Sequence, residues 1–166
     1  STMKDKACSK YAAVSLSNIC SREPLRAAVV QNKVIPFLLS WLKDTSQEHL
    51  RVPALDALSH LMCRETESDV YLSGLAASQI TAEGGISSLL PFSNSEDLRL
   101  RTAVANVLHR LSLFPHARDS VLKGLEVDVV KALVRLLVSC NTANHQWQEA
   151  LASLCLRTVI NLSAML

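Results

Sequence analysis

The chain has 166 residues, of which 49% are apolar, 4% aromatic and 19% charged, and it contains only four glycines and five prolines. This balance is typical of packed helices and poor for a sheet. The formal net charge of +2 argues against nucleic-acid or membrane-surface binding driven by bulk charge. No apolar run is long enough for a transmembrane helix and no signal-peptide pattern occurs, so we expect an intracellular protein, cytoplasmic or alternatively nuclear.

Two apolar phrases recur along the chain in a fixed order. The second position of the first phrase falls at Leu16, Leu58, Leu108 and Val159. These positions are 42, 50 and 51 residues apart, a period typical of stacked helical repeats. The other phrase precedes the last three copies by 23, 22 and 29 residues, with its reference positions at Ile35, Ile86 and Val130. Two helices that alternate in register predict an all-α repeat protein with about three helices per unit.

Local signals predict where helices begin and end. Residues 45–48 and 93–96 have the capping-box pattern, and each lies just ahead of a predicted third helix. Pro53 falls inside such a helix, which must therefore start late or bend. The pair Gly84 and Gly85 predicts a break between two helices, because glycine adopts positive φ at low cost.

The phrases resemble the armadillo family, whose unit is a short helix, a second helix that opens in a Gly-Ala-Leu-Pro-like phrase, and a long third helix that closes in Ala-Leu-Ser-Asn-Leu. The best match is Val34-Ile35-Pro36 for the opening and Ala57-Leu58-Ser59-His60-Leu61 for the close. The resemblance implies a right-handed α-solenoid of armadillo- or HEAT-like helical repeats. It implies one domain over residues 1–166, part of a longer protein, with a partial repeat at 1–23 and repeats at 24–64, 65–113 (with an insertion) and 114–166.

The periodic apolar positions are expected to form one continuous core between repeats. The predicted core residues are Leu16, Ile35, Leu38, Leu58, Leu61, Ile86, Leu89, Leu108, Leu111, Val130, Leu133, Val159 and Leu162. Trp41 lies in the apolar second helix and is expected to pack there, whereas Trp147 lies in a polar stretch and is a candidate contact residue.

The resemblance also implies a binding surface. In armadillo proteins the third helices line a concave groove, and the polar residue of the closing phrase bonds the backbone of an extended peptide. Carried over residue by residue, the predicted groove residues are Asn18, Asp56, His60, Asn106, Arg110, Arg157 and Asn161. Because arginine pairs well with carboxylates, the two arginines favour a partner segment that bears acidic groups.

The predicted function is a non-catalytic scaffold or adaptor domain that binds a protein or peptide segment in this groove. The main alternative is a structural or regulatory spacer in a larger multidomain protein, for example beside a kinase, with an unoccupied solvated groove. A nuclear-import cargo adaptor is disfavoured, because the family's groove tryptophans are replaced here by Val14, Asp56, Asn106 and Arg157. A nucleic-acid-binding repeat would need a basic, aromatic-bearing code that the chain lacks. Apolar terminal helices also allow end-to-end self-association.

No pattern predicts catalysis or a cofactor. The five cysteines form no Cys-x-x-Cys pair and are expected to be reduced, mostly packed thiols. His60 and Cys63 share a helix face, but a metal site needs further ligands that the neighbouring sequence does not supply. His109 and His116 are interpreted as solvated histidines at helix ends. We therefore expect no enzyme activity, no metal and no cofactor.

Overall fold

The computed structural model describes residues 3–64, 69–139 and 145–164, and within these ranges the protein is all-α without a strand. The prediction of an all-α protein is confirmed. The described α-helices are α1 (Met3–Cys20), α2 (Glu23–Gln31), α3 (Val34–Lys43), α4 (Arg51–Leu61), α5 (Asp69–Ala82), α6 (Gly85–Leu89), α7 (Leu98–Ser112), α8 (Pro115–Ser139) and α9 (His145–Ser163). Two 3₁₀ segments, Thr45–Leu50 and Leu90–Asn94, precede α4 and α7.

The chain divides into two compact units, Ser1–Ser88 and Leu89–Leu166. In the first unit, α4 packs against α1, α3 and α5, and α2 packs against α1, α3 and α5. Its core is made of aliphatic side chains that are completely buried, among them Ile35, Leu38, Leu55 and Leu58.

The second unit consists of the segment Leu90–Asn94 and the helices α7, α8 and α9, which pack on one another. Its buried side chains are again aliphatic, among them Val104, Leu108, Leu111, Leu136 and Leu151. Both units are thus held together by helix-on-helix burial of Leu, Val and Ala, as the composition predicts.

Three predicted core residues do not lie in the core. Val130 and Val159 are 54% and 43% exposed, and Leu16 is half-buried. On α9 the buried positions are Leu151, Cys155, Thr158 and Leu162, so the buried face is shifted by one residue and Thr158 takes the place expected for Val159. Thr158 tolerates this burial because its hydroxyl donates a 2.6 Å hydrogen bond to the carbonyl oxygen of Leu154. The other ten predicted core residues are buried.

The helix starts use different residues from those predicted. In place of the two capping boxes, the carboxylates of Asp44 and Asp97 accept hydrogen bonds from the backbone amides of Ser46 and Arg99, at 2.8 and 2.9 Å. Carboxylates, like hydroxyls, accept hydrogen bonds from the backbone N–H groups of a first turn that have no partner within the helix. Their negative charge also interacts favourably with the positive end of the helix dipole. The late start expected at Pro53 is confirmed, because α4 begins at Arg51 and Pro53 lies in its first turn.

The turns before α3 and α6 have the same backbone conformation. Lys33 and Gly84, each directly before one of these helices, have φ values of 54° and 71°. The break predicted at Gly84 and Gly85 is therefore confirmed. Gly85 is required for a steric reason, because a Cβ at this position would lie only 2.6 Å from the carbonyl oxygen of Ile80.

The last predicted unit departs from the three-helix pattern. The helix expected over residues 129–137 is the second half of α8, which runs from Pro115 to Ser139 without a break in the backbone helix. Trp41 is half-buried rather than enclosed, and its ring meets that of Phe37 edge-on with centroids 4.7 Å apart. The side chain of Trp147 lies outside the described residues.

Candidate functional site

The predicted groove residues of the first unit lie on α1 and α4, which pack together. Asn18 is exposed near the end of α1, whereas Asp56 and His60 are half-buried one turn apart on α4. Nδ1 of His60 and the hydroxyl of Ser17 form a hydrogen bond of 3.3 Å, which joins the two helices. One of the expected peptide-binding side chains therefore also connects α1 and α4.

Burial controls the charge of Asp56. Removal from water raises the pKa of the Asp56 carboxyl above its ordinary value, and the nearby His60 opposes this shift in part. Without a hydrogen-bond donor that compensates the burial, a carboxylate in this position is poorly stabilised. Asp56 is thus the acidic residue among the predicted groove residues, and it lies on α4.

The predicted groove residues of the second unit lie on α7 and α9. Asn106 and Arg110 are half-buried on α7, Arg157 is exposed on α9, and Asn161 follows Arg157 by one turn and is half-buried. The side-chain amide of Asn161 donates a 2.9 Å hydrogen bond to the hydroxyl of Ser112, which itself donates to the carbonyl oxygen of His109 at 2.6 Å.

Each unit has a side-chain hydrogen bond between two packed helices that involves a predicted groove residue. His60 on α4 bonds Ser17 on α1, and Asn161 on α9 bonds Ser112 on α7. Each residue has one further side-chain group with which it can bind a partner. His60 keeps Nε2, and Asn161 keeps its side-chain oxygen.

His109 belongs to the surface formed by α7 and α9, although the sequence interpretation treated it as a solvated residue at a helix end. It is half-buried, and its Nδ1 is buried without a hydrogen-bond partner among the described residues. Burial first, and then the charges of Arg110 and Arg157, hold the pKa of His109 below its ordinary value. A lowered pKa favours the uncharged form of His109, and we call the two neighbouring cations, Arg110 and Arg157, the α7–α9 cationic cluster.

The cationic cluster has no acidic counterpart among the described side chains. Neither Arg110 nor Arg157 forms an ion pair there, and Nε of Arg110 is buried without a hydrogen-bond partner. Its sequence signal was the presence of two arginines among the predicted groove residues: Arg110 lies in the closing phrase, and Arg157 lies four residues before the closing-phrase residue Asn161. His109 takes the position of Ser59 in the closing phrase, and its half-burial could not be predicted from that match.

The first unit contains an open cleft of about 750 Å³, lined by Lys6, Thr45, Ser46, Glu48 and His49. Beside it, the hydroxyl of Ser9 lies 2.8 Å from Nε2 of His49. The same hydroxyl donates to the carbonyl oxygen of Lys6 at 3.0 Å, and the tautomer of His49 decides which group donates in the bond between Ser9 and His49.

Four of the five cysteines are described, and all four are free thiols. Cys20 and Cys155 are buried and Cys63 is half-buried, as expected, but Cys8 is exposed. Burial raises the pKa of the Cys20 thiol to about 11. Cys140 lies outside the described residues. Among the residues that the structure describes, no group of three or more His, Cys, Asp or Glu side chains is arranged to hold a metal ion.

None of the helices in the described ranges combines the length and the apolar character that crossing a membrane requires. Comparison with models of known protein families gave no match, and comparison with curated protein sequences gave none either.

Proposed function

We propose that the chain is an armadillo-type interaction module, a non-catalytic scaffold or adaptor that binds a segment of a partner protein along its third helices. In this proposal the helices α1, α4, α7 and α9 are the third helices of successive units, and the units follow the right-handed path of the family. The cytoplasm is the proposed location. The proposal rests on the recurring phrases together with the structural features that recur with them.

Two features of the backbone support the repeat assignment. Lys33 and Gly84 are 51 residues apart and share the left-handed conformation ahead of a second helix. Asp44 and Asp97 are 53 residues apart and accept the same kind of hydrogen bond, from the amide two residues later. Recurrence of a positive φ ahead of a helix at this spacing is expected for repeated units. The two caps recur at a similar spacing, although Asp44 caps the 3₁₀ segment Thr45–Leu50 and Asp97 caps α7 itself.

A pair of arginine contacts supports the same assignment. Nη1 of Arg26 in α2 donates to the carbonyl oxygen of Cys63 just beyond α4, at 2.8 Å. Nη1 of Arg118 in α8 donates to the carbonyl oxygen of Asn161 near the end of α9, at 3.1 Å. In both cases an arginine near the start of a first helix binds the open carbonyls at the end of a third helix.

The binding function is inferred from charged and polar side chains on the proposed third helices whose hydrogen-bonding groups are not all used within the described part of the protein. Arg110 and Arg157 lie without an acidic partner on one surface, and Asn18 is exposed at the corresponding place on α1. A surface whose donors are not used within the protein is suited to the backbone and carboxylates of an extended segment.

The proposal is tested by affinity capture from cell extract with the wild-type chain and two variants, followed by quantitative mass spectrometry. One variant carries Asn18→Ala and Arg110→Ala. The other carries Arg99→Ala and Glu83→Ala, two exposed positions away from the predicted groove residues. We expect a set of proteins that is retained by the second variant and depleted at least tenfold by the first. A set that both variants retain equally would contradict the proposal and favour the spacer function.

A further inference from the structure

The α7–α9 cationic cluster has the chemistry of a recognition site for acidic side chains. We propose that Arg110 and Arg157 anchor an acidic segment of the partner, with its carboxylates paired to the two guanidinium groups and its apolar side chains resting on Leu156 and Ile160. This inference rests on the proposed function and specifies the partner's chemistry at one part of that surface.

The first argument is electrostatic. α7 packs on α9, and the charges of Arg110 and Arg157 both act on His109, so each positive charge disfavours a further one at this surface. Nε of Arg110 is also buried without a hydrogen-bond partner, so this guanidinium has lost part of its hydration. A carboxylate that enters this surface relieves the repulsion and supplies hydrogen-bond acceptors to a partly desolvated cation, where charge-assisted bonds are strongest.

The second argument comes from the apolar surface next to the charges. Leu156 and Ile160 are 54% and 65% exposed, and they lie one turn apart on α9 on either side of Arg157. Exposed aliphatic side chains therefore lie beside the exposed Arg157. A segment that alternates acidic and apolar side chains satisfies both parts of this surface at once, as amphipathic segments do in helical grooves.

Nucleic acid is the other polyanion that two arginines attract, and the neighbouring side chains disfavour it. Single-stranded nucleic acid binds where bases stack on aromatic rings beside basic residues. The large exposed apolar neighbours of Arg157 described on α9 are the aliphatic Leu156, Val159 and Ile160. These three side chains offer nucleic acid neither an aromatic ring for stacking nor further positive charge.

The test is an unbiased selection. A phage library of random 12-residue peptides is panned against the immobilised full chain, and the affinities of the selected peptides are measured by fluorescence anisotropy for the wild type, Arg157→Glu and Arg110→Gln. Arg135→Glu is the matched control, because Arg135 is exposed on α8 and the change in charge is the same. Melting curves of all variants check the fold, and Arg157→Glu is the principal variant because Arg157 is exposed.

We expect the selected peptides to be enriched in Asp and Glu next to apolar residues, and to bind Arg157→Glu at least tenfold more weakly while Arg135→Glu retains its affinity. Peptides without acidic enrichment whose binding depends on Arg110 or Asn18 would refute the acidic inference and leave the proposed function standing. A selection that yields no binders, or binders indifferent to all of these positions, would refute both. Displacement of the peptides by a 12-nucleotide RNA, or a concentration-dependent dimer that Arg157→Glu dissociates, would assign the surface to another occupant.

His109 supplies a readout that a purely structural role would not change. Its ring can be titrated by NMR in the free chain and with a saturating selected peptide. Carboxylates bound beside Arg110 and Arg157 offset the two positive charges that lower the pKa of His109, so we expect this pKa to rise on binding. An unchanged pKa with the peptide bound would show that the carboxylates lie elsewhere.

Discussion

Nη1 of Arg26 donates a 2.8 Å hydrogen bond to the main-chain oxygen of Cys63, from a side chain that is only 1% exposed. The hydroxyl of Ser73 donates to the same oxygen at 2.6 Å. A single backbone atom beyond the end of α4 therefore connects α2, α4 and α5. Buried cationic donors are costly to remove, because a hydrogen bond to a charged group contributes more than a neutral one.

Replacing Arg26 tests this connection. We expect Arg26→Ala to lower the free energy of unfolding by about 2 kcal/mol or more, because a charged donor and its packed aliphatic stem are both lost. Urea denaturation followed by circular dichroism measures the change. Arg22→Ala is the control on the same side of the unit, since Arg22 is exposed and its side chain makes no cap hydrogen bond. Equal stability of Arg26→Ala and Arg22→Ala would show that the Cys63 contact contributes nothing.

The positive φ of Lys33 predicts a stabilising substitution. A left-handed conformation costs a non-glycine residue about 1–2 kcal/mol, and Lys33 is exposed with φ at 54°. We expect Lys33→Gly to raise stability by about 1 kcal/mol and Gly84→Ala to lower it by a similar amount. Gln31→Gly, in the last turn of α2, should instead be destabilising. Thermal melts compare the three, and a destabilised Lys33→Gly would contradict the backbone assignment.

The carboxyl groups of Asp56 and Asp44 predict pH dependences of opposite sign. Burial raises the pKa of Asp56, so its contribution to stability falls as pH rises from the unfolded value of 3.8 through the higher folded value. Hydrogen bonds from Ser46 lower the pKa of Asp44, so its contribution is present above 3.8 and is lost as pH falls through the lower folded value.

We therefore expect Asp56→Asn to stabilise the protein at pH 7 and Asp44→Asn to destabilise it. Both differences should shrink as the pH is lowered toward 3, where the carboxyl of Asp56 is protonated and that of Asp44 begins to be. Denaturation midpoints at pH 7, 5 and 3 measure the effect. Two variants that shift in the same direction at pH 7 would contradict the assigned environments.

Thiol accessibility predicts an order of alkylation. Cys8 is exposed, whereas Cys20 is buried with a pKa of about 11, so very little of the Cys20 thiol is ionised at neutral pH. We expect iodoacetamide to modify Cys8 first and Cys20 only after unfolding, as followed by peptide mapping over time. Cys8→Ser should remove the fast phase. Rapid modification of Cys20 in the folded chain would show that α1 opens readily at its carboxyl end.

The sequence predicts the helices and most of the core because burial follows the 3.6-residue period. Ile35, Leu58 and Leu108 are found by periodicity alone and are buried. The prediction was wrong for Val159, because Thr158 is the residue that α9 buries at this place. Burial of Thr158 depends on a hydrogen bond to the carbonyl oxygen of Leu154, which the apolar pattern of the sequence does not reveal. Asp44 and Asp97 were missed because a capping-box pattern begins close to each of them, at Thr45 and at Ser93.

The candidate site was less accessible from the sequence. Register assigns Arg110 to the closing phrase and Arg157 to the position four residues before the closing-phrase residue, but the proximity of Arg157 to His109 follows from the packing of α7 on α9. The hydrogen bond between Asn161 and Ser112 likewise depends on how α9 packs on α7. The hydrogen bond between His60 and Ser17 depends on how α4 packs on α1. Whether these residues bind a partner stays a prediction.

The hydrogen bonds at residue 63 also determine what sequence comparison can detect. Arg26 and Ser73 bind the main-chain oxygen of Cys63 and not its thiol, so the requirement falls on the two donors. Any residue at position 63 presents that oxygen, and substitutions there should accumulate without breaking the connection between helices. In related chains we therefore expect an arginine to be retained at the position of Arg26 in α2, whereas the residue that follows α4 at position 63 can vary.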